Sequence, residues 1–267
     1  MPASGIGFIH NSKRPNPEAR FGTYELLSYL SEAAQRMQHA KAGQPLYIND
    51  IGLEHGGPIV HHGSHQAGRD VDVLFFLLDK DGNPREPKGI PLDPKGEGWD
   101  FQDLLDPKDD VFVKFDTERT WAFIQAFIES AGSYVQRLFI VEHLRSLLLE
   151  EAKRVAAPKH IVDIAEAAMC QPSVAHDDHL HIRVFCDAND IKQGCRDGFP
   201  IYPWHLAHLR SFKTKPVIAT RHRKKSKTIS AKEAHAKAGP MHAKVEAFLE
   251  QQLSWSSNPH PGRRWCR

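Results

Sequence analysis

The side chains best suited to chemistry are concentrated in two short stretches of the sequence. The first runs from His61 to Val73 and reads HHGSHQAGRDVDV, with three histidines and two aspartates in a segment interrupted by glycines. The second runs from His176 to Val184 and reads HDDHLHIRV, with three more histidines. Imidazole and carboxylate groups are ligands that zinc accepts. Two such clusters, distant in sequence, predict one metal site that folding closes, and we interpret the chain as a zinc hydrolase.

The first two ligands follow from spacing within the first stretch. His65 lies in a loop and Asp72 on the apolar strand that follows, and Gly63 and Gly68 let the backbone between them turn sharply. Asp72 stands among apolar residues, where an unpaired carboxylate is costly to bury and a cation would compensate it. Because a catalytic zinc typically has three protein ligands and a water, one more ligand is expected.

His179 and His181 are the candidates for that third ligand. They alternate with Leu180 on a predicted strand, so both imidazoles are expected on the same face. One of them can bind the metal while the other stands beside the bound water. The sequence has no His-Glu-x-x-His motif, which excludes a thermolysin-like base. Histidine and aspartate ligands also suit other first-row ions, so the identity of the metal stays open.

Four further polar residues have less specific patterns. His62 and His176 fit either additional acid/base or substrate-contacting groups, or donors that orient the ligands. Asp70 shares the strand face of Asp72 and is expected to be a solvated or ligand-orienting carboxylate. Asp116 directly precedes a predicted helix and is interpreted as its cap.

Hydrophobic patterning predicts the elements that must position these residues. Apolar residues at helical spacing alternate with short apolar or β-prone runs bounded by Gly and Pro. We expect an α+β fold in which a small, mostly antiparallel sheet carries the zinc site and is flanked by helices and long loops. The predicted elements are a helix from Thr23, a strand Leu46–Ile51, a strand Val71–Leu78, an irregular segment 85–110, a helix Thr117–Ser130, a strand Arg137–Val141, helices near Glu142–Ala156 and His160–Met169, and a strand Leu180–Phe185.

Composition and charge are those of an ordinary globular protein. The 267 residues are 40% hydrophobic and 25% charged, with a formal net charge of +2. This near-neutral net charge gives no strong electrostatic attraction to nucleic acid or to an anionic membrane. No apolar run approaches the roughly 20 residues of a membrane span. The first residues lack the basic-then-apolar pattern of a signal peptide, which fits a cytoplasmic protein or a mature form without its leader.

The C-terminal part differs in composition from the rest. Lys213 to Lys227 is rich in Lys and Arg, which is typical of a solvated linker, with contact to an acidic polymer as the alternative. Helical spacing of apolar residues returns between Ser230 and Leu253. We predict a domain over residues 1–212 that contains the metal site, followed by a basic linker and helical extension over residues 213–267.

The four cysteines bear on the compartment. Cys186 and Cys195 flank a short polar loop, which suits a local disulfide, and Cys170 and Cys266 could form a second one that ties the C-terminus to the body. Four cysteines allow three pairings, and four unpaired thiols are the alternative. Disulfide bonds would favour an oxidising compartment.

These motifs resemble those of a known family. Gly57-Pro58, the segment SHQAGRDVDV over residues 64–73, and the pattern His176-x-x-His179-x-His181 are similar to the penicillin-insensitive murein endopeptidases. These enzymes belong to a larger group with lysostaphin, the D-Ala-D-Ala metallopeptidases and Sonic hedgehog. The resemblance covers about two thirds of the chain, from about Phe8 to Cys195.

The resemblance implies a specific site and reaction. It implies one zinc ion per chain, bound by His65, Asp72 and His181, and hydrolysis of D,D cross-links between D-alanine and diaminopimelate in peptidoglycan. Peptidoglycan peptide stems are then the partner, and the periplasm of a Gram-negative bacterium is the compartment. The Cys186–Cys195 loop resembles a disulfide-closed loop of the family. The basic segment and the final helix have no counterpart in the resemblance.

The remaining histidines are candidate catalytic groups. A bound zinc lowers the pKa of its water and polarises the scissile carbonyl, and the resulting oxyanion needs positive charge or donors beside it. His179 is the leading candidate for proton transfer or oxyanion stabilisation, followed by His176 and His62. Two alternatives are a carboxypeptidase or dipeptidase of the same group and a metal-stabilised, non-catalytic cell-wall-binding module.

Overall fold

The two histidine-rich stretches lead into neighbouring strands of one sheet. The computed structural model describes residues 1–13, 16–220, 230–257 and 266. The strands of these residues are β1 Ser4–Gly5, β2 Phe8–His10, β3 Leu46–Ile48, β4 Asp70–Leu74, β5 Leu77–Leu78, β6 Pro84–Arg85, β7 Glu97–Asp100, β8 Val111–Phe115, β9 Val135–Phe139, β10 Met169–Cys170 and β11 His179–Val184. The helices are α1 Tyr24–Ala40, α2 Thr117–Ala131, α3 Glu142–Arg154, α4 Lys159–Ala168, α5 Ala188–Lys192, α6 Pro203–Ser211, α7 Ala231–Ala238 and α8 Ala243–Ser257.

The main sheet has seven strands in the order β1-β2-β3-β4-β11-β9-β10. At its centre β4 and β11 are antiparallel, and their register places Asp72 opposite His181. The pairs β2/β3 and β9/β10 are parallel, whereas the other pairs of this sheet are antiparallel. The prediction of an α+β fold with a mostly antiparallel sheet is confirmed, although the sheet is mixed.

A second sheet, with strand order β6-β5-β8-β7, is absent from the sequence-based prediction. The prediction of one strand from Val71 to Leu78 is wrong, because β4 ends at Leu74 and β5 pairs with β6 and β8 instead. Phe75 and Phe76 connect β4 to β5, which belong to different sheets, and both are buried. The apolar run is therefore continuous although the strand is interrupted. The segment 85–110 is also not wholly irregular, since β7 pairs with β8.

Helices α1 and α2 pack against each other and begin at side-chain caps. The Thr23 hydroxyl accepts a hydrogen bond from the Leu26 N–H, which satisfies one of the free donors at the start of α1. Asp116 accepts from the Arg119 N–H at 2.9 Å, and its predicted role as the cap of α2 is confirmed. The apolar stripe of α1 is buried, with Leu26, Leu30, Ala33, Ala34 and Met37 in the core.

The C-terminal helix and one of the two disulfides connect the end of the chain to its body. Phe248 and Trp255 of α8 belong to the main hydrophobic core. The bonds Cys170–Cys266 and Cys186–Cys195 are both present, so of the pairings that the sequence left open the structure has these two. The division at residue 212 stays a prediction, and residues 221–227 of the basic segment lie outside the described residues. No described helix has both the length and the apolar character needed to cross a bilayer.

Candidate metal centre

Three imidazoles converge on one carboxylate oxygen, Oδ1 of Asp72. This oxygen lies 3.3 Å from Nε2 of His65, 3.3 Å from Nδ1 of His181 and 3.5 Å from Nε2 of His179. Asp72 and His181 face each other across β4 and β11, while His65 belongs to the loop that precedes β4. Folding thus brings together the three predicted ligands and the leading catalytic candidate.

His65 is fixed by a backbone carbonyl. Its φ angle of +47° is in the left-handed region, which non-glycine residues rarely adopt. The ring Nδ1 donates to the carbonyl oxygen of Ile51 at 2.8 Å. Burial alone lowers the pKa of His65, but Asp72 outweighs it and raises that pKa. Because a carbonyl can only accept, Nδ1 keeps its proton in the neutral form of the ring, and Nε2 then directs a lone pair toward Asp72. The backbone and Ile51 therefore present His65 as a potential ligand.

His181 is oriented in a comparable way by Asp70. The Nε2 of His181 donates to Oδ1 of Asp70 at 2.8 Å, and Nε of Arg183 donates to the same oxygen at 2.6 Å. Burial alone raises the pKa of Asp70, but Arg183 and His181 outweigh it and hold that pKa well below its ordinary value. The neutral His181 ring then directs its Nδ1 lone pair toward Asp72. Asp70 is a buried carboxylate that orients this ring, not a solvated one.

The polar atoms at the centre fit a bound cation. Within the described part of the chain, Oδ1 of Asp72 and Nε2 of His65 are buried and have no hydrogen-bond partner. Such atoms are costly to leave unsatisfied. Burial alone raises the pKa of Asp72, but His65, His179 and His181 hold it well below its ordinary value, so the carboxylate is ionised. An ionised oxygen beside two imidazole lone pairs suits Zn²⁺ or another first-row divalent ion.

His62 lies between two carboxylates on the other side of Asp72. Its Nε2 is 2.9 Å from Oδ2 of Asp50, and its Nδ1 is 3.3 Å from Oδ2 of Asp72. Asn16 donates to the same Asp50 oxygen at 2.7 Å and holds that carboxylate in place. His62, His65 and Asp72 also form a group whose potential ligand atoms all lie within 4.8 Å of one another. The site therefore contains a second possible ligand set.

His179 is an imidazole whose protonated form is stabilised by neighbouring carboxylates. Its Nδ1 donates to Oδ1 of Asp178 at 2.6 Å, and its Nε2 faces Asp72. Burial alone lowers the pKa of His179, but Asp178 and Asp72 outweigh it and raise the pKa to about 9. The ring is thus positioned to carry a proton beside the candidate metal ligands.

His176 lies farther out, at the wall of a cavity. Its ring is 4.9 Å from that of His179, and its Nδ1 donates to the carbonyl oxygen of Val174 at 2.9 Å. Burial and the charges of His179 and His181 lower its pKa to about 3, which favours the neutral ring. The cavity has a volume of about 410 Å³. Its walls are formed by His61, His62, Gly63, Ser64, Phe139, Pro172, Ser173, Val174, His176, His179, His181 and Arg183.

Sequence reasoning included Asp70 as a possible ligand-orienting carboxylate, but it missed the other groups that orient the histidines. Asp50 follows β3 and approaches His62 only because β3 and β4 are neighbours in the sheet. Asp178 is adjacent to His179 in the motif, and this adjacency was the available signal for it. Ile51 contributes a main-chain oxygen, which leaves no trace in residue type.

The sequence matches the family described as penicillin-insensitive murein endopeptidase over residues 1–237. The protein of that name from Yersinia enterocolitica is 26% identical over 218 residues, which are 75% of this chain and 69% of that protein. Those from Yersinia pestis and Haemophilus influenzae are 27% and 24% identical, over 67% and 76% of this chain. The chain spans 58% of the length of the Yersinia pestis protein and 67% of the Haemophilus influenzae protein. The match over residues 1–237 places the chain in the penicillin-insensitive murein endopeptidase family, which is a family of peptidases.

Proposed function

We propose that the protein is a zinc-dependent D,D-endopeptidase that hydrolyses D-Ala–diaminopimelate cross-links in peptidoglycan. The observation that carries this proposal is the convergence of His65 Nε2 and His181 Nδ1 on the buried Oδ1 of Asp72, in a chain of the murein endopeptidase family. Cross-linked peptide stems are the proposed substrate, because the family is described by cleavage of murein.

His65, Asp72 and His181 are the proposed zinc ligands. In both histidines one ring nitrogen donates to a fixed oxygen, on Ile51 or Asp70, so the other is left as a lone pair facing Asp72. His62 lies between the carboxylates of Asp50 and Asp72 in a similar way, but its Nδ1 faces Oδ2 of Asp72. His65 and His181 both face the other oxygen, Oδ1. This contrast favours His181 over His62 as the third ligand, although the set with His62 is the more compact one.

The other residues are proposed to move and hold protons around the reacting carbonyl. When bound, zinc lowers the pKa of a coordinated water and polarises the substrate carbonyl. His179, paired with Asp178, is placed to donate a proton or to stabilise negative charge developing beside Asp72. His176 presents a neutral ring at the cavity wall, where it can contact the peptide. Asp50 holds His62 with its second nitrogen toward Asp72, which helps to fix that carboxylate.

Two features support an endopeptidase over an enzyme that trims free peptide ends. The cavity is lined by residues of two separate segments, 61–64 and 172–174. His61 and Val174, one from each segment, are exposed, so a chain can extend beyond the site where these residues lie. The retention of His179 and Asp178 beside Asp72 argues against a binding module without catalysis.

The two disulfides support a periplasmic location. Such bonds form and persist in oxidising compartments, and they are rare in the cytosol. Cys170–Cys266 and Cys186–Cys195 account for all four cysteines of the chain. We therefore place the enzyme on the side of the inner membrane where peptidoglycan lies.

The deciding experiment is digestion of purified, cross-linked peptidoglycan, followed by mass analysis of the released muropeptides. We expect conversion of cross-linked dimers to monomers, loss of this activity with a chelator, and its return when zinc is restored. Shortening of uncross-linked stems without loss of dimers would favour the carboxypeptidase instead. Cleavage that persists after complete metal removal would contradict the proposal.

A further inference from the structure

The loop of residues 171–178 holds an unfavourable conformation at the edge of the candidate site. It joins β10 to β11 and contributes Pro172, Ser173, Val174 and His176 to the cavity wall. The φ angle of His176 is +53°, in the left-handed region that non-glycine residues rarely adopt. Such a conformation persists only where the surroundings hold the chain on both sides of it.

One of these supports is Asp177, the residue that follows His176. Its side chain is buried, and its Oδ2 accepts hydrogen bonds from Nε1 of Trp255 and Nε2 of Gln252, each at 2.9 Å. Its backbone oxygen accepts from the Leu92 N–H at 3.0 Å. Because burying a carboxylate without donors is costly, the two side chains of α8 determine where this residue can lie.

The start of the loop is connected to the same C-terminal segment. Gln171 is fully buried, its Nε2 donates to the backbone oxygen of Trp255 at 3.3 Å, and its own backbone oxygen accepts from the Cys266 N–H at 2.9 Å. Cys170, directly before the loop, is disulfide-bonded to Cys266. The C-terminal segment therefore contacts both ends of the loop.

Helix α8 is itself firmly placed. Val245, Phe248 and Trp255 are buried, and the Trp255 ring lies 5.3 Å from that of His143 on α3. Lys244 donates to Asp110 at 3.0 Å near the start of the helix. Because α8 is held in place along its length, it can fix the position of the loop that it contacts.

We infer that helix α8, residues 243–257, together with Cys266, is a positioning element of the candidate active site. Trp255 and Gln252 hold Asp177, and through it they fix the backbone of His176 and one wall of the substrate cavity. Neither residue lines the cavity, so both act through Asp177. The segment lies beyond residue 237, where the match to the family ends, so this support belongs to a part of the chain that the family match does not cover. The inference rests on the proposed function, because it assigns His176 and this wall of the cavity a role in substrate turnover.

Two variants of the full-length protein test the inference. Trp255→Phe removes the indole N–H and keeps an aromatic ring in the core, and Gln252→Leu removes the other donor. Gln251→Leu is the matched control, because it makes the same change at the exposed residue next to Gln252. Amide hydrogen exchange of peptides covering residues 172–178 reports the loop directly and requires no activity. We expect exchange there to rise about 10- to 100-fold in both variants, which is the effect of losing one hydrogen bond to a charged group.

Turnover of a purified cross-linked muropeptide dimer provides the second readout. We expect kcat to fall about tenfold in Trp255→Phe, with a smaller change in KM, because misplacement of a group near the reacting atoms affects the transition state most. Bound zinc and exchange in β4 and β11 should equal those of the wild type, as should every readout for Gln251→Leu.

The outcomes separate this inference from the proposed function. Unchanged exchange over residues 172–178 in both variants would overturn the positioning role. So would a loss of activity matched by an equal loss of bound zinc or of folded protein. If exchange rises as expected but the wild type cleaves no cross-link, the loop is positioned by the C-terminal segment and the proposed reaction is the part that fails.

Discussion

Asp72 and His181 lie opposite each other on antiparallel strands, with Nδ1 of the histidine 3.3 Å from Oδ1 of the aspartate. Because side chains alternate along a strand, a shift of one residue in this register would turn His181 to the other face of the sheet. The pairing of β4 with β11 thus determines whether the candidate site exists. The predictions below depend on the contacts that surround this pair.

Asp72→Ala should abolish metal binding, because it removes the oxygen on which three histidines converge. We expect zinc content to fall at least about tenfold. A chelator should lower the melting temperature of the wild type, since a ligand bound only by the folded state stabilises it, and should leave that of the variant unchanged. The exposed residue Asp163, as Asp163→Ala, is the control. A variant with full zinc content would exclude Asp72 as a ligand.

His179→Ala should separate metal binding from catalysis. The ring faces Asp72 but is held by Asp178, and it is not one of the proposed ligands. We expect nearly unchanged zinc content and a fall in kcat of about 10²- to 10⁴-fold, which is the usual contribution of a positioned acid or base. Muropeptide cleavage and zinc content measured on the same preparation decide the matter. Wild-type cleavage by this variant would remove His179 from the mechanism.

His62→Ala and His181→Ala should distinguish the two possible ligand sets. We expect His181→Ala to lose zinc and His62→Ala to retain it, because His181 faces the same Asp72 oxygen as His65, whereas His62 faces the other one. Zinc titration of the metal-free proteins compares the affinities, with His160→Ala, a change at an exposed residue of α4, as control. The reverse result would assign the site to His62, His65 and Asp72.

Asp70→Asn should weaken metal binding without removing a ligand. Its carboxylate accepts from both His181 and Arg183, and an amide supplies no negative charge to either. We expect zinc affinity to fall about 10- to 100-fold, as is usual when the residue that orients a ligand is changed. Competition with a chromophoric chelator measures this difference. An unchanged affinity would show that Asp70 serves only to neutralise Arg183.

The ligand pattern could be read from the sequence because it depends on local periodicity. His179 and His181 share a face by alternation, and the buried charge of Asp72 pointed to a partner. The break after Leu74 could not be read in this way, since Phe75 and Phe76 continue the apolar run while the chain changes sheets. A continuous apolar run predicts that a segment is buried, but it does not predict which sheet the segment joins.

The distant residues that orient the site could not be predicted from the sequence, for a different reason. Trp255 and Asp177 are 78 residues apart, and Asp50 reaches His62 only through the order of the strands. Such contacts depend on where distant segments finally lie, which neither spacing nor residue type encodes. The motif predicted the candidate ligands, and the tertiary fold supplied the residues that hold them.

The Cys170–Cys266 bond has a consequence for the integrity of the enzyme after proteolysis. A single cut anywhere between Cys195 and Cys266 would leave two fragments that remain covalently joined until a reductant separates them. After a cut that precedes α8, the shorter fragment would keep Trp255 beside Asp177 if α8 stays folded. Nicked molecules would then migrate as one species without reductant and as two with it, and a cut in this region would not by itself detach the end of the chain.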